Sequence, residues 1–405
     1  MQISIFDDAL RHNFFPITAL RSTGDLRVGI LKLRQRLLAA FDDEDTSIVI
    51  DESLQKLYRQ RHPDWNVNTL TAGDALFINS RLQLTPELHS SISTLCSGCK
   101  LVCGDTVLAA RVECTAREIH AAQLPELFAS CKTEETTAQC WEYTWQFIGR
   151  NAAMIEEDFQ EYFYDKNNFF ETELGVTILN PYDVWIGEGA SLKPGVIIDA
   201  SDGPVVIDED AVIMAQAVII GPAYIGKKSR IKVGAKIYEG TSIGPVCKVG
   251  GEVEESIFLG YANKQHDGFL GHSYLGEWVN LGADTNNSDL KNTYKNVSMY
   301  FYPEKKQRDT GETFVGCIIG DHSKTGINAT INTGAVIGVG CNLFGGDLIG
   351  GFVPDFSWGS GKNLTSYRFD KWAETASRVK ERRGLVLTDT EKQLYTRVND
   401  KKMAT

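Results

Sequence analysis

From Ile207 an aliphatic residue returns at every sixth position, through Ile213, Ile219, Ile225, Ile231, Ile237, Ile243 and Val249. The same step holds upstream at Ile186, Leu192 and Ile198, where the insertion Ser201–Pro204 shifts the phase by three. It returns downstream at Leu275, Leu281, Ile319, Ile331, Ile337 and Leu343, with Thr325 in the remaining slot. An α-helix repeats at 3.6 residues and an exposed strand at two, so neither produces this pattern. A period of six predicts an all-β, left-handed parallel β-helix of hexapeptide repeats, in which the recurring aliphatic residue fills the interior of stacked triangular coils. Residues 178–352 are assigned to it. Glycine follows the aliphatic residue at Gly187, Gly226, Gly244, Gly282 and Gly338, which predicts corners of unusual φ. The register breaks near 252–272 and again near 286–313, predicting two outward loops on the binding face.

Residues 1–165 alternate differently. Short apolar strands are predicted at Ile3–Phe6, Ser47–Ile50, Ala75–Ile78 and Thr106–Arg111. Helices are predicted at Leu26–Phe41 and at Thr144–Phe163, the latter bridging to the β-helix. Strands interleaved with helices indicate an α/β domain. A polar tail, 362–405, predicts helices over Tyr367–Arg383 and over Thr388–Val398, the second capped by Thr388.

The 405 residues are 42% hydrophobic and 23% charged, with a net charge of −12. That balance describes a soluble globular chain and disfavours nucleic acid or an anionic membrane as partner. No apolar run is long enough to cross a bilayer, the N-terminus does not read as a signal peptide, and the expected location is the cytoplasm. Nine scattered cysteines suit reduced thiols. Cys96, Cys99, Cys103 and Cys114 leave a structural metal open, since Cys96 and Cys99 have zinc-ligand spacing but the second pair does not.

The chemistry concentrates in Gly271-His272-Ser273-Tyr274-Leu275-Gly276, followed by Val279-Asn280-Leu281-Gly282-Ala283. This stretch resembles the acetyltransferase half of the GlmU-like bifunctional sugar nucleotidyltransferase/acetyltransferase family. The resemblance implies His272 as catalytic base, and Tyr274, Asn280 and Asn287 as substrate-binding residues, with Lys232 gripping a sugar phosphate. It further implies acetyl-CoA as co-substrate, an amino-sugar 1-phosphate as acceptor, and a homotrimer. Here the spacing from His272 to Asn280 is shorter than in the family, Ala283-Asp284-Thr285 replaces Ala-Gly-Thr, and Glu254 or Lys264 falls near a position where the family has lysine. Imidazole suits the task because it titrates near neutrality and can take the proton of an attacking amine.

The N-terminal domain resembles a divergent nucleotidyltransferase-like domain, through Pro16-Ile17-Thr18 and Gly73-Asp74. No glycine precedes Gly24, so the phosphate-cradling loop is missing. Arg11, Arg21 and Arg27 are the expected nucleotide and phosphate ligands, Asp74 the expected Mg²⁺ ligand, and a nucleoside triphosphate the expected substrate. Three alternatives stay open: a nucleotidyltransferase whose β-helix is only a trimerising or regulatory scaffold, a zinc lyase using His266, His272 and His322, and a non-catalytic assembly protein. Arg382 and Arg383 are candidates to lie near a phosphate-bearing ligand.

Overall fold

A computed structural model describes residues 1–41, 46–168 and 174–403, with side chains to residue 400. The period of six becomes three ladders of short parallel strands. The first face begins at Thr177–Leu179, Ile197–Asp199 and Val218–Ile220, the second at Val184–Ile186, Val205–Ile207 and Ala223–Ile225, and the third at Ser191–Leu192, Val212–Ile213 and Arg230–Ile231. Ile207, Ile225 and Ile243 stack in register, and every hexad residue from Ile207 to Val249 is at most 1% exposed. A continuous apolar column thus runs up the prism and supplies most of its stability.

Two readings of the repeat are corrected. The glycines after the aliphatic positions do not supply positive φ, which falls instead at Asp210, Gln216, Lys228, Gly234 and Gly240. Gly226 is small for a different reason: a Cβ there would lie 2.7 Å from the carbonyl carbon of Gly244 on the next coil. Nor is 252–272 a loop. Its strands Glu252–Glu254, Ile257–Phe258, Asn263–Lys264 and Phe269–Gly271 stay in the ladders, on coils slightly shorter than the rest. The second break is a true insertion. It carries the antiparallel hairpin Ser298–Phe301 with Lys306–Asp309.

The N-terminal domain is a seven-stranded mixed sheet. Asn66–Val67, Ser47–Val49, Gln2–Phe6 and Gly73–Asn79 run parallel, and Thr106–Cys114, Cys99–Cys103 and Lys132–Glu135 complete it. The expected helix from Leu26 begins only at Leu33 and runs to Ala40. The residues before it are held in a bend by the helix Thr144–Tyr162: Gly29 donates its N–H to Asn151, and Ile30 and Leu31 donate theirs to Asp158. Side-chain acceptors therefore outcompete the helical turn. Asn151 also donates to Gly240 O and Ser242 Oγ, fastening that helix to the prism.

The sheet domain and the second face share one core, where Phe14, Ile17 and Phe147 meet Ile257, Tyr274 and Ile318. The tail helices Phe369–Glu381 and Asp389–Met403 pack Trp372 and Leu394 with Leu54 and Leu57 of the sheet domain. Thr388 caps the last helix reciprocally with Glu391. The tail joins the two domains rather than covering the end of the prism.

Candidate functional site

Each coil turns a corner between faces, and His272 occupies the corner between Phe269–Gly271 on the first face and Tyr274–Leu275 on the second. Its backbone is left-handed, with φ of 45°. The carbonyl of His272 accepts from Gly316 and its N–H donates to Glu254 O, so neighbouring coils hold the corner from both sides. Nδ1 lies 2.9 Å from Asp289 Oδ2, and the imidazole side chain is 20% exposed. Phe314, half-exposed, stacks over the ring at 5.2 Å. An ionised carboxylate only accepts, so the proton sits on Nδ1 and the lone pair on Nε2 is available to a substrate.

Glu254 and Glu255 share this corner one coil below. Burial raises both, Glu255 to about 7 against the opposing pull of His272. Ligand atoms of Glu254, His272 and Asp289 lie within 4.8 Å of one another, and this is the one group of three or more such donors among the described residues. Cys96, Cys99, Cys103 and Cys114 therefore do not assemble a metal site there; all are free thiols. His266 and His322 join no such group either, and His322 is buried among Trp278, Trp372 and Tyr395.

The other expected substrate residues are redistributed. Tyr274 is fully buried in the domain interface, accepting from the N–H of Arg27 and donating to its carbonyl, so it touches no substrate. Asn287 is adjacent to the site but committed: its amide group donates to Gly271 O and accepts from Gly271 N, each at 2.9 Å. It positions the residue before His272. Asn280 lies on the third face, bridging Asn263 and Lys324, away from the His272 corner. The shortened spacing explains the separation, because in a three-faced coil a few deleted residues carry a side chain to another face. Lys232 ends the strand Arg230–Ile231 of that same face. Sequence reasoning missed Asp289, and no motif announces it: its proximity arises because the first-face strand Asn286–Asn287 follows the corner by one coil.

In the sheet domain Arg21 is buried and donates to Asp321 of the β-helix, at 3.0 Å from Nη1 to Oδ1, with Glu277 at 3.4 Å. Arg27 donates to Ile30 O and packs its guanidinium over Tyr224. Neither can receive a phosphate. Arg11 pairs with Asp51 and Thr18 O, yet it borders a cleft of about 810 Å³ with Phe15, Asp51, Tyr302 and Arg397. That cleft lies at the carboxyl ends of the strands Gln2–Phe6 and Ser47–Val49, the side on which parallel α/β sheets bind ligands. Asp74 lies at the opposite end of the sheet, second in the strand Gly73–Asn79, and is doubly bonded to Arg111. It does not fit a Mg²⁺ ligand.

The fold and corner define an α/β sheet domain fused to a parallel β-helix that presents an imidazole–carboxylate pair. Residues 3–164 match the family model described as sugar nucleotidyl transferase. The chain is 27% identical over 195 residues to the bifunctional protein GlmU of Synechococcus sp. strain CC9311, covering 47% of this chain and 37% of that protein. It is 34% identical over 153 residues to a bifunctional sugar-1-phosphate nucleotidylyltransferase/acetyltransferase of Sulfurisphaera tokodaii, covering 36% and 37%. A UDP-N-acetylglucosamine acyltransferase structure from Campylobacter jejuni is 13% identical over 56% of this chain and 95% of that one, with a TM-score of 0.29. Parts of the chain are thus similar to a sugar nucleotidyl transferase family model and to bifunctional proteins of the GlmU type. It spans less than half the length of the two curated relatives. Among the described residues no helix is long and apolar enough to cross a membrane.

Proposed function

We propose that this protein is a bifunctional transferase of nucleotide-sugar synthesis. Its β-helix moves an acetyl group from acetyl-CoA to the amine of an amino-sugar 1-phosphate, and its sheet domain joins a sugar 1-phosphate to a nucleoside triphosphate. The observation that carries the first activity is the part-buried His272–Asp289 pair on a coil corner. Nε2 takes a proton from the attacking nitrogen as the N–C bond forms at the thioester carbonyl. The C–S bond then breaks and the leaving thiolate recovers the proton from the imidazolium. Asp289 fixes the tautomer and steadies the transient cation, and backbone N–H groups along the coil edge suit the oxyanion. Much of the acceleration comes from holding acceptor and donor together in one groove.

For the second activity, the cleft beside Arg11, Asp51 and Arg397 supports nucleotide binding better than Arg21 or Arg27 does. Nucleotidyl transfer would use Mg²⁺ to offset phosphate charge. We further propose a homotrimer located in the cytoplasm; light scattering should return the mass of three chains.

Thiol release from acetyl-CoA in the presence of glucosamine 1-phosphate tests the acetyl transfer. His272→Ala should lower kcat by about 10²- to 10⁴-fold, and full retained activity would remove His272 as the base. Asp289→Asn should lower kcat by about 10- to 100-fold, as for other partners that orient an imidazole, while leaving KM for acetyl-CoA unchanged. Pyrophosphate release from nucleoside triphosphate and sugar 1-phosphate, without CoA dependence, reads the second activity separately.

A further inference from the structure

The third face carries a column of side chains in register. Arg230 lies beside Lys248, Lys248 beside Asn263, Asn263 beside Asn280, and Asn280 beside Lys324. Adjacent strands are about 4.8 Å apart, so Arg230 and Lys248 are like charges in directly opposed positions, an arrangement that costs stability. After the tail helix Phe369–Glu381 the chain brings Arg382 and Arg383 to the same column, where Arg383 donates to Asn263 Oδ1 at 2.9 Å. Lys248, Asn280, Lys324, Arg382 and Arg383 line a cleft of about 360 Å³ whose wall includes the stacked pair Tyr261 and Trp278.

Among the described residues no carboxylate lines this cleft, in a protein with a net charge of −12. None of its four cations is held by a salt bridge among the described residues. Among the described residues the Nζ of Lys324 donates only to the carbonyl of His322. Burial pushes Lys324 down to about 8. Burial first, then Arg383, Arg230 and Lys232, pushes Lys248 down as well. Elsewhere the fold answers several of its buried cations with acids, as Asp321 answers Arg21 and Glu391 answers Lys380. Here it gathers cations from two separate elements and supplies no counter-charge.

We propose that this cleft is a binding site for a phosphate or diphosphate ester, held by Lys248, Lys324, Arg382 and Arg383 with Asn263 and Asn280 at its floor. Two adjacent guanidinium forks match phosphate oxygens, and four cations match an anion of more than one charge. The net charge of −12 on the whole chain disfavours an extended polyanion. Because the column is on the third face and His272 is at the corner of the other two, the site is distinct from the acyl-transfer corner of the same chain. It stands whether or not that corner transfers an acetyl group.

Titration calorimetry with inorganic pyrophosphate tests the site. The wild-type chain should bind, more weakly as salt screens the charges. Lys248→Ala and Arg382→Gln should each weaken binding by at least about tenfold, the value of a lost charge-assisted hydrogen bond. Arg382 is exposed, so Arg382→Gln keeps the test valid if Lys248→Ala alters folding, and thermal unfolding checks both variants. His272→Ala should bind pyrophosphate as the wild type does. Competition by CoA would identify the ester as the donor's, and competition by glucosamine 1-phosphate as the acceptor's. Absence of pyrophosphate binding, indifference to both cation substitutions, or loss of binding in His272→Ala would overturn the proposal.

Discussion

Arg21 in the domain interface and Lys248 on the third face are both cations in confined surroundings, and the fold treats them oppositely. Arg21 meets Asp321 and Glu277, carried to it by the β-helix, so its charge is consumed in joining two domains. Lys248 meets Arg383, Arg230, Lys232 and Arg382, and among the described residues no salt bridge holds it. Nothing about either residue type distinguishes the two cases. The difference lies in what the facing element delivers. A paired buried cation is structural, whereas an unpaired group of cations is held at a cost that a ligand can recover.

Substitutions should separate the two regions by the sign of their effect on stability. The largest effect is expected at Arg21. Arg21→Ala leaves Asp321 buried without its partner and should cost about 3–5 kcal/mol in denaturant unfolding. A loss under 1 kcal/mol would mean that the domains are not joined through this pair. Lys324 should behave in the opposite way. Its folded value of about 8 lies below the ordinary 10.5, so folding expels a proton between those values and stability should climb from pH 8 to 10.5. Below pH 8 the full cost is present. Lys324→Met should therefore raise stability at pH 7 by about 1–3 kcal/mol and flatten the climb. Saturating pyrophosphate should reduce the gain. The smallest effect is expected at Arg230, which is exposed. Relieving its opposition to Lys248 by Arg230→Gln should add at most about 0.5 kcal/mol. A clear loss there would show that the column is not repulsive.

The prism was the most legible part of the chain, since the aliphatic residue at every sixth position from Ile207 to Val249 is interior. His272 was legible through its motif, and the structure keeps it at an exposed corner beside a carboxylate. The helix expected from Leu26 was misread at its start because Asn151 and Asp158, more than a hundred residues away, claim the N–H groups of 29–31. Tyr274 was read from the same motif as His272, two residues on. Yet its side chain leaves the opposite side of the corner and ends against Arg27.

The sequence by itself determined the coil: a period of six sets which side chains point inward, and that depends only on neighbours along the chain and one coil away. It also singled out His272 through its motif, though not the coil corner on which it stands. Only the tertiary structure decided which polar groups are spent and which remain available. Asp289 reaches His272 across a coil, Asp321 reaches Arg21 across a domain boundary, and Arg382 and Arg383 reach Lys248 from the tail. Charges act through space with little regard for chain order, so their partners become defined only when distant segments are packed together.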